Sequence, residues 1–474
     1  MPLLEILFYL FLITLPLGAR VLVYQFTSGF HEYEAVTLYA SDIFLALFLA
    51  AYFFKKGFNF KSPVTSYLLL VTFLLFAFVS IFFAPSTGLA VYNFARLVLL
   101  AGFAFAAARI LADKRVFRRT LALIAVLAVI QSGIGFLQFK NQGALGLKWL
   151  GESPISVFDG GTSKIIVGGV RILRAYGTFP HPNILAAFLI LGLIALYYFW
   201  LKRPSEWKIF SSLKNLFSDL VLGLGIFVAS FGLMISFSRG GWLIAAAATL
   251  FTLLYSLFSR YFIQAVRFGI LVLAIAGILF FNFSDLILPR ATFSSSEPAV
   301  AYRLSYNDLG IYLIKNKPFG VGIGNQVLYS VKNNVYQKFG LDKVWQWQPI
   351  HNIYLLIASE IGALGLLAFL VFFVSLFLNP KSEARNPKQY LNLNIQNKKQ
   401  LKIWDFKNWD LFRISNFEFR ISLIMLLALL GFGFFDHFLW TIQHGRLMLW
   451  LVIAMVMGVK SAHSSTDRAH PSEG

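Results

Sequence analysis

Apolar runs long enough to cross a bilayer recur along the whole chain, and no other feature restricts its fold as severely. They centre near residues 3–19, 37–54, 65–84, 88–110, 120–138, 183–201, 218–236, 242–258, 264–283, 352–378, 421–436 and 440–459. A helix needs about 17 to 25 predominantly apolar residues to span the hydrocarbon core. In lipid, backbone polar groups must be satisfied within a helix or a closed barrel. These runs are apolar all round, which predicts helices and not a barrel. The chain is 58% hydrophobic with 52 Phe, and its mean hydropathy of +0.71 lies beyond soluble domains of this size. The expected fold class is an all-α polytopic membrane protein of about twelve transmembrane helices, with a large extracytoplasmic loop before the tenth span. The second and eleventh runs are the weakest: one contains Ser41 and Asp42, and the other is short and ends at Asp436 and His437.

The net charge of +20 would suggest nucleic acid in a soluble protein. Here most of the Lys and Arg sit in short loops between spans, which is the signature of cytoplasmic connections, and no nucleic-acid partner is expected. With the N-terminus inside, Lys55–Lys61, Ala112–Arg119, Leu201–Lys208, Ser259–Arg267 and the tract Lys381–Arg420 all fall inside and all are basic. The short outside connections Ala84–Thr87 and Phe435–His444 hold no Lys or Arg. The N-terminus lacks a basic leader and carries Glu5, so it reads as an uncleaved first span. Without cysteine there is no disulfide, thiolate nucleophile or Cys-based metal site.

The organisation expected is spans one to nine over residues 1–283, a polar extracytoplasmic catalytic loop with interfacial helices over 284–350, and spans ten to twelve over 351–460. A basic, poorly ordered cytoplasmic insert near 380–419, with short amphipathic turns around WDFKNWDLF, interrupts the last part, and 461–474 reads as a disordered tail. No solenoid repeat and no inverted two-halves symmetry is apparent.

On this topology the polar spots Arg174–Asn183, Ser236–Trp242, the 284–350 loop and His351 share the outside face. Arg239 sits in a connection too short for an ordinary loop, beside Gly240 and Gly241. It is either a snorkelling interfacial cation or an anion-holding guanidinium, and an outside arginine runs against the charge rule. Arg174 precedes a turn set by two prolines, with Asn183 opening the sixth span, a positive locus suited to phosphate. Arg171 is an alternative to it, and His181 reads as structural. Tyr302, Tyr306, Leu309 and Leu313 share one helical face, with Arg303 and Asn307 on a neighbouring face, the pattern of an interfacial helix stopped by Pro318. Gly320, Gly322 and Gly324 lack the strand and Lys-Ser/Thr of phosphate fingerprints, so a glycine-rich turn is the better account. His351 opens the tenth span, where helix amides and a nearby guanidinium favour the neutral imidazole, able to accept a proton; a capping histidine is the plainer account. Arg96, inside the fourth span, lines a lipid-phosphate path or pairs with a buried polar group. His31, Glu32 and Glu34 read as a solvated loop, and acidic residues elsewhere outside are scattered, so no metal or other cofactor is expected.

A chain of about twelve spans with R-x-x-G-T-F-x-H-P-N from Arg174, S-x-S-R-G-G from Ser236, R-x-x-Y from Arg303, P-x-G-V-G-x-G-N from Pro318 and H-N-x-Y-L-x-x-x-x-E-x-G-x-x-G-L from His351 resembles the O-antigen ligase and O-antigen polymerase superfamily. The resemblance covers about Arg174 to Leu370. It implies a C-type membrane glycosyltransferase in the inner (cytoplasmic) membrane. Such an enzyme takes a glycan from an undecaprenyl diphosphate carrier at the extracytoplasmic face and joins it, with inversion and without metal, to a hydroxyl of a glycan, glycolipid or protein acceptor. Arg174, Arg239 and His351 would be its catalytic residues, and Arg303, Asn307, Lys317 and Asn352 would bind substrate. A polymerase of lipid-linked repeat units is the nearest alternative. A lipid-linked glycan transporter or flippase is the alternative of another class, one that would place ionisable residues at midspan.

Overall fold

The computed structural model describes residues 3–27, 32–57, 64–203, 213–291, 298–377 and 417–466. The chain within them is mostly helical: α1 (Leu3–Thr14), α2 (Ala40–Lys56), α3 (Val64–Val79), α4 (Thr87–Leu111), α5 (Lys114–Asn141), α6 (Pro182–Leu201), α7 (Leu213–Ile235), α8 (Arg239–Leu257), α9 (Phe262–Ala291), α10 (Pro298–Asn316), α11 (Gln326–Lys332), α12 (Ile353–Phe377), α13 (Phe417–Phe432), α14 (Phe438–Thr441) and α15 (Gln443–Thr466). Two antiparallel hairpins interrupt them, β1 (Arg20–Gln25) with β2 (Ala35–Tyr39), and β3 (Lys164–Val167) with β4 (Val170–Leu173).

Nine helices among the described residues are long and apolar enough to cross a membrane: α3 with the turn after it, α4 to α9, α12 and α15. Helices α1, α2 and α13 are shorter, with 12, 17 and 16 residues. Two of these are the runs whose polar ends weakened them in the sequence. Helix α6 is the axis of the bundle: its membrane window is 94% buried, whereas that of α9 is 11% buried and faces outward. Against α6 lie α5, α7, α8 and α13. Small residues set these approaches, since association inside lipid relies on close packing and not on the hydrophobic effect. Gly192 meets Ala128 of α5, and Gly232 of α7 meets Ser132 of the same helix.

Polar caps start several helices at one end of the bundle. Ser86 accepts from the Leu89 amide at 3.4 Å and Ser238 from the Gly241 amide at 3.2 Å. Asn352 accepts from Tyr354 and Leu355 at 3.0 and 3.2 Å. Each satisfies an amide that the first helical turn leaves without an intrahelical partner. The same end gathers both hairpins, α10 and α11. The other end holds Lys202 paired with Glu418 at 3.0 Å, with Arg260 and Arg420 close by.

Three features depart from the sequence boundaries. Helix α9 continues past Ser284 to Ala291, broken only at Phe283 (φ −132°), because Leu286, Ile287 and Leu288 resume an apolar stretch after Ser284 and Asp285. Helix α15 runs to Thr466, beyond the start of the expected tail. Phe417–Phe419, within the expected insert, open α13; the rest of that insert, with its WDFKNWDLF turns, and His31 lie outside the described residues. The helix expected around Arg303 is α10, with Tyr306, Leu309 and Leu313 buried.

The glycine-rich run is a turn that grips α12. Gly320, Gly322 and Gly324 take φ of +83°, +93° and +72°. The Val321 amide donates to Ser359 O at 2.9 Å, and the Gly324 amide to the Glu360 carboxylate at 2.9 Å. Its donors thus hold the chain's own anion. Gly362 (φ +81°) breaks α12 where this turn leans on it.

Candidate active site

Four arginines from four different segments converge on one cavity at the capped end. Arg174 comes from the strand-to-helix turn before α6, Arg239 from the first turn of α8, Arg290 from the end of α9 and Arg303 from α10. The cavity measures about 100 Å³, and Asp436 is the one acidic residue among the described residues that line it. Formal charge around it is therefore strongly positive.

The guanidiniums are fixed by backbone carbonyls more than by acids. Arg174 donates from Nε to Ser236 O at 2.7 Å and from Nη2 to Asn183 Oδ1 at 2.9 Å. Asn183 passes the link on, donating to Asp436 Oδ2 at 2.7 Å. Arg239 Nε donates to Arg290 O at 2.6 Å, and Arg290 Nε donates to Phe237 O at 3.2 Å, so these two brace each other through the main chain. Arg303 Nε and Asn307 Oδ1, one turn apart on α10, are buried and have no hydrogen-bond partner among the described residues. Native interiors leave few such atoms, and a ligand group is one explanation for a pair of them.

Electrostatics record the same shortage of negative charge. Burial, then the neighbouring Arg290 and Arg303, push the Arg174 guanidinium down to about 9. For Asp436, burial would favour the neutral acid, but the imidazoles of His437, His351 and His181 and the Asn183 amide hold it below the usual carboxylate range.

His351 stands beside this cavity. Its ring stacks on Tyr306 of α10 at 4.8 Å and meets His437 edge-on at 4.8 Å. Its Nδ1 lies 2.9 Å from Pro349 O. A carbonyl only accepts, so Nδ1 carries the proton and Nε2 is left with a lone pair. Burial, then His437, push the imidazole down to about 3, so it is neutral across the physiological range. His181 differs, because both its nitrogens are used. Nδ1 accepts from the Asn183 amide at 3.2 Å, and Nε2 faces Ser163 Oγ at 3.1 Å. It caps α6, in keeping with a structural part.

Of the residues singled out from sequence, Arg174, Arg239 and Arg303 meet in the cavity, and His351 and Asn307 flank it. Asn352 is spent as the α12 cap. Lys317 is exposed, its Nζ 5.6 Å above the Tyr329 ring, and does not line the cavity. Arg171 lies exposed on β4 and is not among the lining residues, so Arg174 is the arginine of that pair that reaches the cavity. Arg96 pairs with Asp42 at 3.0 Å. Three contributors were not foreseen as site residues. Arg290 looked like loop because the ninth run seemed to end at 283. Asp436 and His437 registered only as a weakness of the eleventh run, although an acid and an imidazole in a short outside connection were the available signal.

Beside the arginines, an apolar cavity of about 620 Å³ opens among α6, α7, α8 and α9. Ile287 of its wall is one turn from Arg290, and Trp242 one turn from Arg239. A cationic pocket thus abuts a greasy groove, an arrangement able to hold an amphiphile with an anionic head.

No curated protein and no solved structure matches the chain. Residues 224–370, which include Arg239, Arg290, Arg303 and His351, match the family model described as O-Antigen ligase. Over that stretch, about a third of the chain, the protein is similar to the O-antigen ligase family, and its apolar helices mark a multi-pass membrane protein.

Proposed function

We propose that the protein is a glycan ligase, transferring an oligo- or polysaccharide from an undecaprenyl diphosphate carrier to an acceptor hydroxyl at the extracytoplasmic face of the inner membrane. The observation that carries this is the meeting of four guanidiniums, in excess over one carboxylate, beside a neutral imidazole and next to an apolar groove. The diphosphate would sit among Arg174, Arg239, Arg290 and Arg303, and the polyprenyl chain along the α6–α9 groove. The basic connections gathered at the opposite end support this choice of membrane side.

The chemistry asks for positioning and charge stabilisation, because diphosphate is already a good leaving group. The acceptor oxygen forms a bond to the anomeric carbon as the bond from that carbon to the phosphate oxygen breaks. The lipid diphosphate leaves with the electron pair, now held by the arginines, and the hydroxyl proton passes to His351 Nε2. Attack opposite the leaving group inverts the anomeric centre. Arginine supplies the counter-charge, so transfer is expected to be metal-independent.

The test is transfer from a lipid diphosphate glycan by the purified chain in nanodiscs. Product formation that survives a chelator and falls about a hundredfold or more in His351→Ala is the expected result. Movement of the carrier across vesicles with no new glycosidic bond would overturn the reading.

A further inference from the structure

A second polar cavity, of about 60 Å³, lies between the β1–β2 hairpin, α4, α12 and the start of α15. That is room for about four to six waters, on the scale of one sugar ring. Its charge differs in kind from that of the arginine cavity. Arg96 and Arg446 are matched by Glu32 and Glu360 on the same wall, giving a formal balance. Each is already held: Arg96 by Asp42 at 3.0 Å, Arg446 by Asn93 at 3.0 Å, Glu32 by Arg20 at 2.6 Å and Glu360 by Trp440 Nε1 at 2.7 Å. Tyr33, Tyr39, Tyr92 and Trp440 add aromatic surface. Fixed donors and acceptors of both signs, with no net charge and with rings alongside, suit a neutral polyol, whose hydroxyls both donate and accept and whose C–H face packs on an aromatic ring. They do not suit a diphosphate.

The imidazoles form the partition between the two cavities. Thr441 lines the second cavity, and its Oγ1 lies 2.6 Å from His437 Nδ1. Tyr33 lines it too and meets the His437 ring edge-on at 5.5 Å. Pro349, also on this wall, holds His351 Nδ1 at 2.9 Å. On the far side Asp436, next in sequence to His437, faces the arginines. A hydroxyl arriving from the second cavity would reach the imidazoles from the side away from the phosphates, as an inverting displacement requires.

We infer that this cavity is the acceptor subsite and that it binds a neutral sugar residue of the acceptor glycan. The inference rests on the transfer reading above and names the substrate class at its unassigned half. It is tested by binding to the full chain in nanodiscs, with methyl glycosides of glucose, galactose, mannose and N-acetylglucosamine as probes of this cavity and farnesyl diphosphate as the probe of the arginine cavity.

Thr37 lines the cavity from the partly exposed strand β2. Thr37→Trp is expected to weaken glycoside binding at least tenfold while leaving farnesyl diphosphate binding within twofold. Arg303→Ala is expected to do the reverse. If Thr37→Trp loses both ligands, the milder Glu32→Gln decides, with the same selective loss of glycoside expected. Failure of all four glycosides to bind, or their displacement by farnesyl diphosphate, overturns the inference and leaves the transfer reading standing. Glycoside binding without any farnesyl diphosphate binding would instead sink the transfer reading.

Discussion

Arg303 Nε and Asn307 Oδ1 are buried without partners among the described residues, and leaving a polar atom in that state costs roughly 1–3 kcal/mol. A fold that tolerates this at two neighbouring positions gains something other than stability there. Asn307→Leu is accordingly expected to raise the melting temperature by a few degrees while lowering donor affinity tenfold or more, as read by thermal unfolding and farnesyl diphosphate titration. A fall in melting temperature would mean that the amide serves the fold. The pH dependence follows from the same residues. Under the proposed mechanism His351 would act as base only when neutral, and burial pushes it down to about 3, so activity is expected to persist above that value and to be lost only as pH falls through it. Arg174 would hold the diphosphate only when charged, so activity is expected to be lost as pH rises through about 9. The profile of kcat/KM for donor, which reports the free enzyme, is expected to be flat between pH 5 and 8. A bend near 6.5 would show a solvated imidazole.

At the scale of elements, the short turns determine where the charged groups arrive. Arg174 and Arg239 were readable in the sequence because each sits in a connection too brief to be incidental, and Arg303 because α10 displays its periodic apolar face. Arg290 was hidden, since Ser284 and Asp285 look like the end of a run that in fact resumes. The two partners of His351, Tyr306 and His437, come from segments 45 and 86 residues away in opposite directions, and no local pattern reports a contact of that kind. The glycine turn was readable as a turn, but its grip on Glu360 was not. Gly362 sits at φ +81°, and an added Cβ would come within 3.1 Å of Phe319 Cα. Gly362→Ala is expected to cost on the order of 2 kcal/mol or more through backbone strain and this clash, measured as a lowered unfolding midpoint in detergent.

Across the whole molecule, hydropathy made the helical membrane class plain, because the lipid constraint acts on every residue of a span. Counting spans is harder: α1, α2 and α13 are short enough to blur the line between a crossing and a buried helix. Burial of the histidines also has a global consequence. His181 and His351 are each pushed down to about 3, whereas the unfolded chain binds those protons near the ordinary 6.5. Their contribution is present above 6.5 and is lost as pH falls below it, by about 2 kcal/mol per imidazole at pH 5. The melting temperature is therefore expected to drop between pH 7 and pH 5, and a constant value would contradict burial of the pair. Arg239 grasps the carbonyl of Arg290, while Arg290 reaches back to the residue two before Arg239. The two form a clasp with a half on each helix, and undoing either half slackens both. The penalty measured for one arginine is therefore expected to include part of the other's, so neither side chain would own a private share of the proposed transfer rate.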